Sequence, residues 1–252
     1  AAELSEQQRA GFWEEGYLVL RGLVPKATVE ALREELIRGY SFEFEKNGHY
    51  EAQNGALLDF LSFGPFGNIS AQLFGSDSVH LLRSVHHFRP TVIPFQRIQQ
   101  WHYDWLECEE DLPTRGSGRW LVKFNIALYD NMPGMWLVNE SAFEELAAER
   151  LGRTNASRLL AGPSGPPLRP GELDRVSLRP ILHLGDAIVH SAAVAHRSPP
   201  APRGSKIGFV SPSYAAPSAR CTGRRASNRE CHWEADVGAS GRAEPGQRVA
   251  DV

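Results

Sequence analysis

The sequence predicts a mainly β domain with flanking helices, a sandwich or barrel of short strands. Three observations predict it. From residue 78 onward, short β-rich runs alternate with polar or glycine/proline turns. The first 39 residues read instead as helix, strand, helix. The chain has 252 residues, 42% hydrophobic and 23% charged, which suits one large domain with a real core.

The elements follow in order. Residues 5–15, SEQQRAGFWEE, read as a helix with Ser5 as N-cap. GYLVLRGLV, residues 16–24, is β-rich and bounded by Gly16 and Pro25, so it reads as a strand. Residues 27–39 place Val29, Leu32, Leu36 and Ile37 at helical spacing, with Thr28 as candidate N-cap and Gly39 as the residue past the end. Residues 40–70 are mixed and aromatic and carry no assigned element. SVHLLRSVHHFRP, IQQWHYDWLE, RWLVKFNIALYDN and MWLVNES then read as strands. Residues 142–152 interrupt them with a helix, and residues 162–172 form a proline/glycine loop. Strand texture resumes over residues 174–215. Residues 1–215 are therefore expected as a single domain. Residues 216–252 turn polar without periodicity and read as an irregular C-terminal segment, partly mobile beyond about residue 238.

Composition narrows the functional classes. Basic residues number 27 against 30 acidic, net −3, which gives no reason to expect nucleic acid as a partner. No run approaches about 18 uninterrupted apolar residues, so no membrane span is expected. The opening AAELSEQQRA shows neither a basic n-region nor an apolar h-region, and a cytoplasmic location is expected. Cys108, Cys221 and Cys231 do not make a disulfide framework or a zinc-ligand spacing. Nine histidines point elsewhere, because histidine is the commonest metal ligand.

His102-Tyr103-Asp104 is an H-x-D triplet in a strand-like run. Side chains at i and i+2 of a strand share a face, so one imidazole and one carboxylate converge on a point. His196, in the later run ending HRS, is the candidate third ligand. Two histidines and a carboxylate leave one side of an iron ion open, the facial arrangement of non-haem Fe(II) oxygenases.

Three stretches carry a family resemblance. They are LSEQQRAGFWEEGYLVLRGLVPKATVEALREEL at the start, WHYDW at 101–105, and GDAIVHSAAVAHRS at 185–198. In this order and spacing the chain resembles the phytanoyl-CoA dioxygenase-like family of Fe(II)/2-oxoglutarate-dependent oxygenases, over most of residues 4–215. The resemblance implies a double-stranded β-helix, a jelly-roll or cupin-like barrel with flanking helices. It implies Fe(II) held by His102, Asp104 and His196, with 2-oxoglutarate as co-substrate and dioxygen as oxidant. It selects His196 over His190, because the family's distal histidine follows the Gly-Asp turn by ten residues, and Asp186 plus ten is His196. His190 and His183 then read as structural, His190 as a packed or hydrogen-bonded neighbour in the same run, with lining of the pocket as its alternative. The carboxylate Asp104 implies, through the resemblance, hydroxylation or another oxidative outcome and not halogenation. The implied activity is hydroxylation of an unactivated C–H bond of a small metabolite, with release of succinate and CO2. Two other readings of the same barrel are a metal-binding or regulatory protein without turnover, and a cupin-like metal isomerase or lyase.

The co-substrate's distal carboxylate needs a cation. Family members place an arginine about ten or eleven residues after the distal histidine. This chain reads HRSPPAPRGSKIGF there, so Lys206 is the favoured anchor and Arg203 the alternative. Ser198, in the H-x-S pattern, and Asn125, in KFNIALY, are the further candidate co-substrate residues. Trp105, beside the expected carboxylate ligand, is the candidate pocket wall, with Tyr103, His87 and Arg97 as further pocket candidates.

Overall fold

The structure is a computed structural model that describes residues 2–38, 60–61, 64–82, 101–102, 120–151, 170–198, 208–217 and 233–238. Helix α1 spans Glu6–Glu15. Ser5 caps it through a reciprocal box: the Gln8 N–H donates to Ser5 Oγ at 3.1 Å, and the Ser5 N–H donates to Gln8 Oε1 at 2.8 Å. The helix stops at Gly16, whose φ of 82° lies in the left-handed region. A side chain there would also collide with Val194, since a Cβ would stand 2.2 Å from its Cγ2.

Strand β1, Tyr17–Leu20, is shorter than the expected strand over residues 16–24. It ends where Arg21 and Gly22 turn to bind Asp186. Helix α2, Lys26–Arg38, buries Val29, Leu32 and Leu36 as the spacing predicts. Thr28 is not its N-cap. The Thr28 and Val29 N–H groups both donate to the Pro25 carbonyl, so the helix begins before Thr28, which sits in the first turn. Gly39 and the Ile37 side chain lie outside the described residues. Helix α3, Pro65–Phe74, falls in the stretch left unassigned from sequence. Its ends carry ordinary signals, proline in the first turn and Gly75 in the left-handed conformation after the last.

The strands are β2 (Ser78–Leu82), β3 (Leu121–Ala127), β4 (Met132–Pro133) and β5 (Trp136–Val138), then β6 (Ile181–Leu182), β7 (Ala187–Ser191), β8 (Ala195–Arg197), β9 (Phe209–Val210), β10 (Ser213–Ala215) and β11 (Trp233–Gly238). Helices α4, Glu140–Leu151, and α5, Pro170–Val176, lie between β5 and β6. Helix α5 corrects the sequence reading, which ran a loop into strand texture there. Strand β11 lies within residues 216–252, read as irregular, and pairs with β2.

One sheet has the order β1-β7-β3-β10-β2-β11, with β9 also on β3. Among the described residues there are also two small sheets, β4-β6 and β5-β8, and every strand pairing there is antiparallel. Strand β3 is buried along its whole length. Its Val122, Phe124 and Ile126 join Phe12 of α1, Leu32 of α2 and Phe66 of α3 in the main core. Phe124 meets Phe66 at 5.2 Å and Tyr214 at 5.8 Å between ring centroids, both edge-on. Because side chains alternate along a strand, Lys123, Asn125 and Ala127 face the other way, into the interior between the sheets. A second core lies against the outer side of β5 and β8, where α4 and α5 contribute Phe143, Leu146 and Leu173. No helix among the described residues is long and apolar enough to cross a membrane.

The start of β7 is fixed by one carboxylate. Asp186 accepts from the Gly22 N–H at 2.8 Å, the His183 N–H at 2.9 Å and the Arg21 guanidinium at 2.6 Å. Burial pushes the Asp186 carboxyl up, but these donors outweigh burial and hold it below its ordinary value. Gly185 before it has φ of 86°, and a Cβ there would stand 2.2 Å from the Val24 carbonyl oxygen. A depressed folded pKa stabilises above the unfolded-chain value of 3.8 and loses that contribution as pH falls through the lower folded value. Asp186→Asn is therefore expected to lower stability at pH 7 by about 2 kcal/mol. In urea unfolding measured down the pH scale, its gap to the parent should begin to close only below about pH 4.

Candidate metal centre

His196 is the middle residue of β8, and its backbone meets His102 in an isolated bridge. Each histidine donates its N–H to the other's carbonyl at 3.0 Å. Residues that exchange both bonds stand directly opposite, with side chains on one face. The two imidazole rings accordingly lie 4.4 Å apart between centroids, tilted at 55°. His196 Nδ1 is 2.9 Å from the Val194 carbonyl. A carbonyl only accepts, so Nδ1 carries the proton and Nε2 is the ring's donor atom toward a metal.

A third ring joins them. His190 is fully buried, its Nδ1 donates to the Ser191 carbonyl at 3.0 Å, and its ring lies 4.7 Å from that of His196. The sequence places His190 and His196 in one run. In the structure they sit on separate strands, because the chain reverses over residues 192–194 between β7 and β8. His183 is exposed on the far turn, beside Asp130 at 2.8 Å, away from this cluster. Among the described residues, no three His, Cys, Asp or Glu side chains gather closely enough to hold a metal ion. Asp104, the expected third ligand, lies outside the described residues, as do Tyr103, Trp105, His87, Arg97, Arg203, Lys206, Cys108, Cys221 and Cys231.

The segments bearing His102 and His196 are tied together from behind. Alternation turns Arg197 away from His196 onto the outer side of β8. There Asp174 of α5 accepts from Arg197 Nη2 and from Trp101 Nε1, each at 2.9 Å and each on Oδ1. Trp101 directly precedes His102, and Arg197 directly follows His196. One carboxylate oxygen therefore spans both chains of the pair. The Arg197 guanidinium also lies over Trp136 at 4.2 Å and Trp101 at 5.2 Å, and Arg179 lies over Trp136 at 3.9 Å. Burial pushes the Arg197 guanidinium pKa down, and Asp174 pulls it back up.

Inside the barrel, β3 contributes Lys123 and Asn125, which are 9% and 4% exposed. Lys123 stands opposite His190 on one side and Ser213 on the other. Asn125 Oδ1 accepts from Ser211 Oγ at 2.8 Å. Its Nδ2 has no hydrogen-bond partner among the described residues. The structure thus turns the sequence candidate Asn125 inward. Ser198, half-buried, follows β8 two residues after His196. Sequence reasoning missed Lys123, although its signal was present: it precedes Asn125 by two in an otherwise apolar run, so both share a face. It also missed Asp174, which no local pattern distinguishes from any acidic helix residue.

No family model matches the chain, and no curated protein sequence matches it. Solved structures do. The non-heme alpha ketoglutarate dependent epimerase SnoN from nogalamycin biosynthesis aligns with a TM-score of 0.57 and 18% identity, over 83% of this chain and 80% of its own. EctD from S. alaskensis, solved with 2-oxoglutarate and 5-hydroxyectoine, aligns with a TM-score of 0.61 and 16% identity, over 86% and 78%. The non-heme monooxygenase ThoJ, as its nickel complex, aligns with a TM-score of 0.58 and 16% identity, over 95% and 88%. The fold is a jelly-roll barrel. At these identities the likeness is one of fold, and it agrees with the double-stranded β-helix expected from sequence.

Removing Asp174 leaves Arg197, whose side chain is 9% exposed, without its carboxylate. Breaking such a pair costs about 3 kcal/mol. Asp174→Ala is expected to lower the thermal midpoint by roughly 5–10 °C. A calorimetric scan at neutral pH against the parent checks this.

Proposed function

We propose that this chain is an Fe(II)/2-oxoglutarate-dependent oxygenase acting on a small molecule. The observation that carries the reading is the His102–His196 pair. Two imidazoles stand side by side on one face, and one has its Nδ1 proton committed to a carbonyl. That donor chemistry fits a borderline metal such as Fe(II), with Asp104 as the carboxylate that would complete the set. The buried amide nitrogen of Asn125, without a partner among the described residues, fits an acceptor-rich ligand such as a dicarboxylate. The fold shared with SnoN, EctD and ThoJ adds support by analogy.

Each residue has a definite task on this reading. His102 and His196 present imidazole nitrogens, held in register by their backbone bridge. The Val194 carbonyl orients His196 and makes its ring a better donor. Asp174, through Trp101 and Arg197, keeps the two ligand segments at fixed spacing. Asn125 offers its N–H groups to a co-substrate oxygen, and Ser211 fixes the amide's orientation. Leu137 opposite His196, Ile188 opposite Asn125 and Phe209 opposite Ala127 are buried apolar neighbours that exclude water from the interior. Bound iron with 2-oxoglutarate and dioxygen supplies the oxidising chemistry, coupled to release of succinate and CO2. Hydroxylation of an unactivated C–H bond is the outcome we propose.

The test is an anaerobic titration of metal-free protein with Fe(II) and then 2-oxoglutarate, monitored for the visible charge-transfer band of the chelate. The parent is expected to give the band. His102→Ala and His196→Ala are expected to bind Fe(II) at least about 100-fold more weakly and to give none. A parent that binds Fe(II) but shows no band overturns the oxygenase reading in favour of a barrel that does not use 2-oxoglutarate.

A further inference from the structure

The sequence directs attention to Lys206 or Arg203 as the cation for the co-substrate's distal carboxylate. We infer instead that Lys123 of β3 supplies it, with the Asn125 amide beside it. The inference rests on the proposed function and names the residue that selects a dicarboxylate there.

Among the described residues, the two strands that next follow His196 are β9 and β10. Their inward positions follow from the β3 register, in which Ala127 faces Phe209 and Lys123 faces Ser213. Phe209 packs with Ile188 and Met135 in the apolar part of the interior. Ser211 donates to Asn125, and Ser213 stands opposite Lys123. None of these described inward positions is cationic.

Lys123 is placed differently. It is buried, directly opposite His190, whose ring lies 4.7 Å from that of His196. Asn125 shares its face two residues along, about 7 Å away, and its buried NH2 donor has no partner among the described residues. The Lys123 ammonium and the Asn125 amide, flanked by Ser211 and Ser213, make a donor-rich wall in an interior whose described apolar neighbours include Ile188, Leu137 and Phe209. A carboxylate suits that wall, because it accepts several hydrogen bonds and carries charge opposite to the ammonium's. Lysine acts as a point charge on a four-carbon stem, so it tolerates the span from its strand to a ligand oxygen.

The experiment measures dissociation constants on Fe(II)-loaded protein under anaerobic conditions, from the chelate band. The probes are 2-oxoglutarate and 2-oxovalerate, which has the same chain length but lacks the distal carboxylate. The parent is expected to prefer 2-oxoglutarate by at least about 10–100-fold. Lys123→Met is expected to lose most of that preference while its Fe(II) affinity stays within about twofold. Lys123→Arg should recover part of it, and Lys206→Ala and Arg203→Ala should keep it. The inference is overturned if Lys123→Met retains the parent's preference, or if Lys206→Ala or Arg203→Ala abolishes it. The Lys206 and Arg203 variants keep the question decidable even if Lys123→Met does not fold. A parent that forms no chelate with either acid removes the proposed function itself, an outcome distinct from a lost preference.

Discussion

The geometry of the interior depends on the Asp186 carboxylate. It gathers donors from the end of β1 and from the turn before β7, and so sets where β7 starts. With Ala187 paired to Leu20, the ladder carries Tyr17 to His190. Gly16 then lies against Val194, and β8 follows with His196 at its centre. The ten-residue interval from Asp186 to His196 is thus a physical length: one five-residue strand, a reversal over residues 192–194, and half of the next strand. A buried carboxylate is costly unless its oxygens are satisfied, and this one is satisfied from both segments it joins. Either segment alone would leave it short of donors.

Alternation along the strands separates two kinds of burial. The face of β3 bearing Val122, Phe124 and Ile126 meets the helices and is apolar throughout. The opposite face is divided along its length. Ala127, with Ile188 and Phe209, is apolar at one end, and Lys123 and Asn125 lie toward the histidines. The same alternation keeps Arg197 off the face of β8 that bears His196. Its cation pairs with Asp174 and lies over two indole rings, where it stabilises the outer wall. The His102–His196 pair is therefore braced from behind by groups on the outer side of β8.

Much of this was legible in the sequence, for local reasons. The Ser5 cap, the Gly16 stop and the spacing of Val29, Leu32 and Leu36 are all settled within one or two helical turns. The short-strand rhythm and the Gly185-Asp186 turn are local as well. What escaped was set by contacts distant in sequence. Helix α3 is hidden by aromatic residues that read as irregular, although Pro65 and Gly75 mark its ends. Thr28 resembles a cap, but the Pro25 carbonyl begins that helix earlier. The separation of His190 and His196 onto two strands, the partnership of Asp174 with Trp101 and Arg197, and the meeting of Lys123 with His190 and Ser213 all follow from strand register. Register is decided across the sheet and has no local signature.

The burial of β3 on both faces has an evolutionary consequence. A strand with one solvated face drifts freely at half its positions. This one offers drift nowhere, because every residue is packed. Its two faces nevertheless answer to different demands. Change at Val122, Phe124 or Ile126 is judged by whether the chain still folds. On the proposed function, change at Lys123 or Asn125 would bear on which molecule the barrel admits. A lineage diverging in chemistry can rewrite the second set by exchanges of similar volume while inheriting the first intact.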